Sequence, residues 1–317
     1  MSRPLLEGHV RRRVKAIDNV EILDGHELVA PIAPTPQRVT GVVISDRETG
    51  DERRLDADLV VDAMGRGART PAFLEDLGYE RPPVEKSKTT ANYASLLMRI
   101  PEGIIKEKMT FVVPEPTKAT GGAFSVYEHD TWIFTLTRVA DNEPPQDLTG
   151  MIRMATQFAP PALLRALKRG QPISEISVFR YPGATWRRYD QMERFPAGFL
   201  VFGDAICSTN PIYGQGMTVA ALEATALQRL LAQGSDGVAQ RFFAAAAEQI
   251  GPMWASNQFN DRYMDSGDPE DAPSKELLDF RDAMLSAAET SPAMSEKLYR
   301  SMNLVDPPTD YSPLLAN

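Results

Sequence analysis

The sequence predicts a mixed α/β (α+β) fold, in which part of a parallel sheet is combined with an antiparallel sheet and a helical C-terminal region. Residues 57–62 and 198–202 are apolar runs with the length and composition of buried strands, and each leads into a glycine-rich turn. Residues 89–139 alternate apolar and polar side chains, which is typical of antiparallel strands. After Gly216 the apolar residues recur with helical spacing.

The chain begins with a predicted helix over residues 2–14. Ser2 is a suitable N-cap, and Pro4 and Glu7 are suitable for a first helical turn. The run of arginines at 11–13 is equally well explained by a basic amphipathic helix on the surface.

The elements that follow are predicted from alternation, helical spacing and turn residues. Strands are expected at 20–32, 37–46, 52–63, 93–100, 109–113, 123–127, 131–137 and 173–180, with a turn at Thr49–Gly50. Helices are expected at 70–77, 150–168, 218–233, 238–264, 275–288 and 293–302, with breaks at Gly234 and at 267–273 and an irregular tail after Val305.

The most informative segment is Gly203-Asp204-Ala205, followed by Pro211 and by Gly214-Gln215-Gly216-Met217. Asp204 follows a predicted buried strand, where α/β sheets place groups that contact ligands. The glycines allow close backbone approach, and the helix that they open directs unpaired N–H groups at an anion. The alternative is a glycine-rich strand-to-helix turn with a capping aspartate.

A second segment, residues 57–71, has the same strand-to-turn character. Its apolar strand ends at Asp62, and Gly65 and Arg69 follow in the turn. Taken alone, this segment is also explained as an ordinary strand and turn.

Together the two segments resemble the flavin-binding motifs of the FAD-dependent monooxygenase and epoxidase superfamily, which includes group A flavin monooxygenases and geranylgeranyl-reductase-like enzymes. The resemblance implies an FAD/NAD(P)-binding Rossmann-like domain with an inserted antiparallel substrate domain. It implies that Asp204 binds the ribityl chain of FAD and that backbone N–H groups of the loop 211–217 face the flavin ring. Met64 departs from the family pattern, which usually has a hydroxyl residue there.

The resemblance assigns two sets of site residues. The expected cofactor-binding residues are Arg3, Asp62, Gly65, Arg69, Gly203, Asp204, Ala205, Pro211, Gly214, Gly216 and Met217. The expected reaction-side residues are Pro211, Gly214, Gln215 and Gly216. Arg3 matches a family arginine that reaches the phosphate region of the flavin.

The same resemblance divides the chain into four parts. Residues 1–83 are a partial FAD-binding domain, 84–185 a substrate-binding β-sheet domain, 186–264 the FAD-binding domain continued, and 265–317 a C-terminal helical segment. Apolar side chains of the second part are candidates for the lining of a substrate pocket or for the sheet core: Tyr93, Met98, Phe111, Phe124, Trp132 and Phe134.

The sequence contains no Gly-x-Gly-x-x-Gly turn, with which family members begin and which holds the FAD pyrophosphate. The Rossmann-like domain is therefore expected to be incomplete. Three explanations are open: a misplaced start codon, a degenerate gene product, or a half-protein completed by a separately encoded partner. We favour the first. The expected protein partner is a separately encoded N-terminal half or a second copy in a homo-oligomer.

Composition limits the function further. A formal net charge of -9 argues against a nucleic-acid partner. The single cysteine, Cys207, excludes an intrachain disulfide, and the three histidines have no metal-ligand spacing. No apolar run approaches the ~20 residues of a membrane span, so a cytoplasmic protein without integral membrane contact is expected.

The function that the resemblance implies is that of an NAD(P)H-dependent monooxygenase, either a hydroxylase or an epoxidase. NADH or NADPH reduces FAD, and dioxygen adds to it to give a flavin hydroperoxide that oxidises an apolar small molecule. The alternatives are a flavin-dependent reductase of isoprenoid double bonds and a truncated non-catalytic remnant unable to hold FAD.

Overall fold

A computed structural model of the chain describes residues 1–87, 89–115, 119–139, 143–264 and 274–306. Its helices are α1 (Arg3–Lys15), α2 (Thr70–Asp76), α3 (Leu148–Ala155), α4 (Pro161–Arg169), α5 (Gly216–Leu231), α6 (Val238–Met264), α7 (Lys275–Thr290) and α8 (Pro292–Met302). Its strands are β1 (His26–Ile32), β2 (Gly41–Asp46), β3 (Glu52–Asp56), β4 (Val60–Asp62), β5 (Val84–Lys86), β6 (Ala91–Arg99), β7 (Met109–Val112), β8 (Thr120–Val126), β9 (Thr131–Val139), β10 (Gln171–Pro172), β11 (Ser177–Tyr181), β12 (Thr185–Arg187), β13 (Phe199–Val201) and β14 (Cys207–Ser208).

The chain forms two compact units, and each is built from several stretches of sequence. The first unit contains Met1–Asp24, Lys88–Gly183 and Tyr263–Pro269. The second contains Gly25–Ser87, Ala184–Arg262 and Glu270–Asn317. The mixed α/β class and the antiparallel sheet predicted from the sequence are confirmed.

The first unit is organised around one antiparallel sheet. Strands β10 and β11 both pair with β6, and the order continues through β9 and β8 to β7. Helices α3 and α4 contribute to the buried apolar cluster on one side of the sheet, where Met98, Phe124 and Phe134 are fully buried. The predicted single helix at 150–168 is wrong, because α3 ends at Ala155 and α4 begins at Pro161. Pro160 and Pro161 cannot continue a helix from the preceding turn.

The second unit contains three small sheets. Strands β1, β2 and β3 form an antiparallel sheet, β14, β12 and β5 form another, and β13 pairs with β4 in parallel. The predicted continuous strand at 52–63 is wrong, because β3 and β4 belong to different sheets and are separated by residues 57–59. The predicted strand at 20–32 is shorter, since β1 begins at His26.

Gly198 fixes the start of β13. It has a φ of 71°, and a Cβ atom at this position would lie 2.3 Å from the backbone oxygen of Val39. The carbonyl of Gly198 also accepts a hydrogen bond of 2.9 Å from the N–H of Val60, the first residue of β4. Only glycine permits this backbone conformation and this close approach without strain, so the residue sets the pairing of the two parallel strands.

The helices of the second unit agree with the sequence pattern. Helix α6 has the predicted bounds, and α5, α7 and α8 differ from the predicted ranges by one or two residues at their ends. Aromatic side chains form the interior, with Phe195 against Phe199 and Phe243. The predicted break at 267–273 and the tail from residue 307 lie outside the described residues.

Candidate functional site

The two parallel strands of the second unit bring the two motif segments together. Val201 of β13 is in register with Asp62 of β4. Directly after the strands, the N–H of Phe202 donates to the carbonyl of Asp62 over 2.9 Å. The turns that follow the strands therefore start at the same edge of the sheet, which is where ligand-binding groups of parallel sheets lie.

Asp62 shapes its own turn. Its side chain is 7% exposed, and Oδ1 accepts a hydrogen bond of 2.9 Å from the N–H of Met64. Oδ2 accepts the hydroxyl hydrogen of Thr70, at the start of α2. Both oxygens are thus engaged inside the fold, and Asp62 holds the turn from β4 to α2.

The turn itself leaves polar groups accessible. Gly65 has a φ of 71°, and Arg69, the N-cap of α2, is exposed. Met64 is exposed. The backbone N–H of Met64 is still used, because it binds Asp62.

The segment Gly203-Asp204-Ala205 forms a short 3₁₀ turn after β13. Gly203 has a φ of 64°, a conformation that favours glycine, and Ala205 is buried. Asp204 is exposed, in contrast to Asp62. This carboxylate is therefore the one of the two that a ligand in solution can reach.

Two predicted site residues, Gly65 and Gly216, lie beside Asp204. A Cβ atom at Gly65 would lie 3.9 Å from Cβ of Asp204, and a Cβ atom at Gly216 would lie 3.7 Å from its Oδ1. Gly65 and Gly216 are far apart in sequence, but the structure places both beside one carboxylate.

The loop between Asn210 and α5 is closed by local hydrogen bonds. The side chain of Asn210 accepts from the N–H of Ile212 over 3.1 Å, and Gly214 ends the turn with a φ of 66°. Pro211, Gly214 and Met217 are exposed. Among the described residues no side chain caps the first turn of α5, so its N–H groups are available to a ligand.

The side chain of Gln215 makes two hydrogen bonds inside the second unit. Its Nε2 donates to the carbonyl of Met302 over 2.8 Å, and its Oε1 accepts from Nδ2 of Asn257 over 3.2 Å. Two positions earlier, the hydroxyl of Tyr213 donates to Oδ1 of Asp261 over 2.5 Å. These contacts attach the loop to α6 and α8.

Arg187 of β12 connects the two motif turns, and the sequence analysis missed it. Its guanidinium donates to the carbonyl of Ala205 over 3.1 Å and to the carbonyl of Arg66 over 3.0 Å. Arg66 in turn donates to the hydroxyl of Ser208 over 3.0 Å. The acceptors of Arg187 are backbone groups, so no sequence motif around them signals the contact.

Glu223 of α5 is the second residue that was missed. It is fully buried, and its Oε2 accepts a hydrogen bond of 2.8 Å from the N–H of Gly203. Burial, and to a lesser degree the neighbouring Asp204 carboxylate, raises its pKa to about 7, although the bond from Gly203 acts in the opposite direction. Its place on the buried stripe with Val219 and Ala226, at helical spacing, was the available signal.

Cys207, the single cysteine of the chain, is buried. It is 6% exposed, and burial raises the pKa of its thiol well above the ordinary range, with further contributions from the Glu223 and Asp204 carboxylates. Among the described residues no cluster of histidine, cysteine and acidic side chains has the arrangement of a metal site.

Arg3 lies in the first unit. Helix α1 starts as predicted, with Ser2 as its N-cap. The backbone N–H of Ser2 donates to Glu128 over 2.8 Å, and the guanidinium of Arg3 is exposed and pairs with Glu7 over 2.9 Å.

The structure separates the candidate substrate-lining residues into two groups. Met98, Phe124, Trp132 and Phe134 belong to the buried cluster with α3 and α4. The register places Phe111 and Tyr93 on the opposite face, where Tyr93 packs against Phe179 with ring centroids 6.2 Å apart. Phe179 is 53% exposed.

The described helices include none with the length and apolarity required to cross a membrane.

No family model matches the chain. A sequence relative from Mycobacterium tuberculosis, Protein Rv3254, is 36% identical over 315 residues, which are 96% of this chain. The chain spans 66% of the length of that relative.

Solved structures share the fold at low sequence identity. The p-nitrophenol 4-monooxygenase PnpA from Pseudomonas putida DLL-E4 is 14% identical, with a TM-score of 0.66, over 96% of this chain and 73% of its own. The flavin-dependent brominase Bmp2 is 16% identical, with a TM-score of 0.61, over 83% of this chain and 64% of its own. The chain therefore has the fold of flavin-dependent monooxygenases and halogenases.

Proposed function

We propose that the chain is a flavin-dependent oxidoreductase that holds FAD at the shared edge of β4 and β13. The observation that carries the proposal is the convergence of Gly65 and Gly216 on the exposed carboxylate of Asp204. Small residues on both sides of an exposed acid leave room for a bulky polyhydroxyl ligand. The fold shared with flavin-dependent enzymes supports the same reading.

The available groups suit the parts of FAD in different ways. The carboxylate of Asp204 would accept hydrogen bonds from the ribityl hydroxyls. The first-turn N–H groups of α5, reached past Gly214, would face the electron-rich edge of the flavin ring and stabilise negative charge on it. Arg69 is the proposed partner of the phosphates in the second unit, and the assignment of Arg3 stays a prediction from the resemblance.

Other predicted site residues would hold the backbone of the site in place or contact FAD through backbone groups. Asp62 fixes the turn that contains Gly65, and Gln215 fixes the loop that contains Gly214. Gly203, Ala205 and Met217 would contribute backbone contacts, and Pro211 would form part of the reaction-side wall. We propose this loop, residues 211–217, as the wall nearest the chemistry.

FAD, when bound, supplies the redox chemistry, with NADH or NADPH as reductant and dioxygen as oxidant. The tasks left to the protein are to orient the flavin, to exclude water and to hold the substrate. These tasks need no side-chain acid or base. Because the fold is shared with the p-nitrophenol 4-monooxygenase PnpA, we propose a monooxygenase, either a hydroxylase or an epoxidase.

For the substrate we propose an apolar small molecule that contacts the face of the first unit's sheet opposite α3 and α4. Phe111, Tyr93 and Phe179 provide aromatic surface on this face. Between them lie the small polar groups of Ser95 and Thr135, whose hydroxyl oxygens are 2.8 Å apart. Such a surface suits a mainly apolar compound with one or two polar atoms.

The proposal is tested by loading the chain with FAD and following the flavin absorbance during addition of NADH or NADPH, with and without dioxygen. A panel of aromatic and isoprenoid compounds is included, because substrate can be required for reduction. A monooxygenase should be reduced by a nicotinamide, be reoxidised by dioxygen and form a product that contains oxygen.

Two results separate the alternatives. A reductase of isoprenoid double bonds should form a hydrogenated product without dioxygen. If neither NADH nor NADPH lowers the flavin absorbance in the presence of any compound of the panel, the result would contradict a nicotinamide-dependent oxidoreductase.

A further inference from the structure

The buried carboxyl group of Glu223, in the second unit, has no role in the proposed flavin site. The residue is 0% exposed, and only one of its two oxygens has a partner among the described residues. That partner is the backbone N–H of Gly203, which is not a charged donor. An ionised carboxylate offers about four acceptor positions, so Glu223 in its charged form would be poorly solvated.

The electrostatic surroundings also oppose ionisation of Glu223. Its charged neighbour on the turn after β13 is the carboxylate of Asp204, and the charge of Glu223 in turn raises the pKa of the Cys207 thiol on β14. Both neighbours belong to the segment that Glu223 itself supports through Gly203. A second negative charge in this group is costly because burial weakens solvent screening.

We propose that, below neutral pH, Glu223 and Asp204 act as a pair with one negative charge, in which Glu223 carries the proton and Asp204 faces the ligand. Glu223 is then a positioning residue whose protonation state reports on the occupancy of Asp204. Its charge also sets the strength of the hydrogen bond to Gly203, the residue that precedes Asp204.

The pair predicts that ligand binding is linked to proton uptake. A polyhydroxyl ligand that covers Asp204 keeps that carboxylate ionised by donating hydrogen bonds to it, and removes the water that screens it from Glu223. Ionisation of Glu223 becomes harder in the complex, so the complex binds more protons than the free chain. The identity of the ligand as FAD rests on the proposed function, whereas the titration of the pair does not.

The first test uses the chain without FAD. Urea unfolding is measured from about pH 5 to about pH 8 for the wild type, for Glu223→Gln and for Glu248→Gln, an exposed glutamate of α6. The unfolded chain loses the proton of Glu223 near pH 4.5, but the folded chain keeps it up to about pH 7. Stability contributed by this group is therefore greatest at low pH, falls as pH rises through this window and is constant above it.

The expected result is a difference between variants that depends on pH. Relative to the wild type, the ratio of folded to unfolded chain should rise by up to about tenfold per pH unit for Glu223→Gln between about pH 5 and about pH 7. Glu248→Gln should follow the wild type. Parallel profiles for Glu223→Gln and the wild type would overturn the proposal.

A second measurement is needed should Glu223→Gln fail to fold. Infrared difference spectra of wild-type chain carrying ¹³C-labelled glutamate detect a protonated carboxyl group directly. We expect one glutamic acid signal at pH 6 that disappears by pH 9. Absence of this signal at pH 6 would overturn the proposed Glu223–Asp204 pair, and this result requires no variant.

The link to the ligand is tested by calorimetric titration with FAD at pH 7.5 in buffers of different ionisation heat. The wild type and Glu248→Gln should take up a fraction of a proton on binding, and Glu223→Gln should take up none. FAD binding without proton uptake in the wild type would overturn the coupling and leave the proposed function intact. Failure to bind FAD at any pH would instead overturn the proposed function, and the unfolding and infrared data would still decide whether the pair exists.

Discussion

The carboxyl group of Asp62 accepts the hydroxyl hydrogen of Thr70 inside the second unit, and this contact closes the turn from β4 to α2. Asp62 and Asp204 both follow a parallel strand, but one carboxylate is used by the fold and the other is exposed. The two acids are therefore expected to respond differently to substitution.

Thr70→Val should destabilise the chain by about 1–3 kcal/mol, because it leaves an oxygen of the buried Asp62 carboxylate without its donor. The measurement is urea unfolding followed by circular dichroism. Thr225→Val, at an exposed position of α5, is the matched control and should change stability by less than about 0.5 kcal/mol. Equal effects of the two substitutions would mean that the Asp62–Thr70 contact adds nothing.

Gly216→Ala should weaken FAD binding without destabilising the fold. The added methyl group has only ordinary contact with Asp204, at 3.7 Å, and alanine favours helix over glycine. It would, however, occupy space beside the proposed ribityl chain, and we expect a loss of about 1 kcal/mol, or about fivefold in Kd.

The control for this substitution is Gly251→Ala in α6, where a Cβ atom would meet nothing within 4 Å. It should increase stability by about 0.5–1 kcal/mol and leave the Kd for FAD unchanged. Fluorescence titration gives both affinities. Unchanged affinity in Gly216→Ala would remove this glycine from the site.

Arg187→Met should loosen both motif turns, because it removes the donors to the carbonyls of Ala205 and Arg66. We expect a loss of stability of about 1–3 kcal/mol and weaker FAD binding. Arg229→Met, at an exposed position, should be close to neutral. An Arg187→Met chain with wild-type stability and affinity would show that the bridge does not position the turns.

Cys207 should react slowly with iodoacetamide in the folded chain. Burial and the carboxylates of Glu223 and Asp204 raise the pKa of its thiol, and the thiolate is the reactive form. At pH 8 the rate should be at least about tenfold lower than in urea-unfolded chain. The single cysteine makes the assay specific, and equal rates would contradict the buried position.

The sequence was sufficient to predict elements whose pattern is local. Helix α6 has the predicted bounds because its apolar spacing is continuous. The boundary at Pro160 and Pro161 was also visible in the sequence, but helical spacing on both sides concealed it. The division of 52–63 into β3 and β4 depends instead on which distant strands they pair with.

The candidate site shows the same limit. The motif residues Gly65, Asp204 and Gly216 were found from their spacing, and the structure brings them together. Burial could not be deduced for Asp62, because both aspartates follow similar strands. Arg187 was beyond reach, since its partners are backbone carbonyls of distant residues.

The central claim is that Asp204 belongs to an FAD site, and the most direct measurement is the flavin retained after FAD is added and free cofactor is removed by gel filtration. We predict bound flavin, detected by absorbance, in the wild type and in Asp236→Asn, which alters an exposed acid elsewhere in the second unit. Asp204→Asn should bind FAD about 10- to 100-fold more weakly, because a hydrogen bond to a charged group is lost. Absence of flavin from the wild type, or equal retention in Asp204→Asn, would contradict the account.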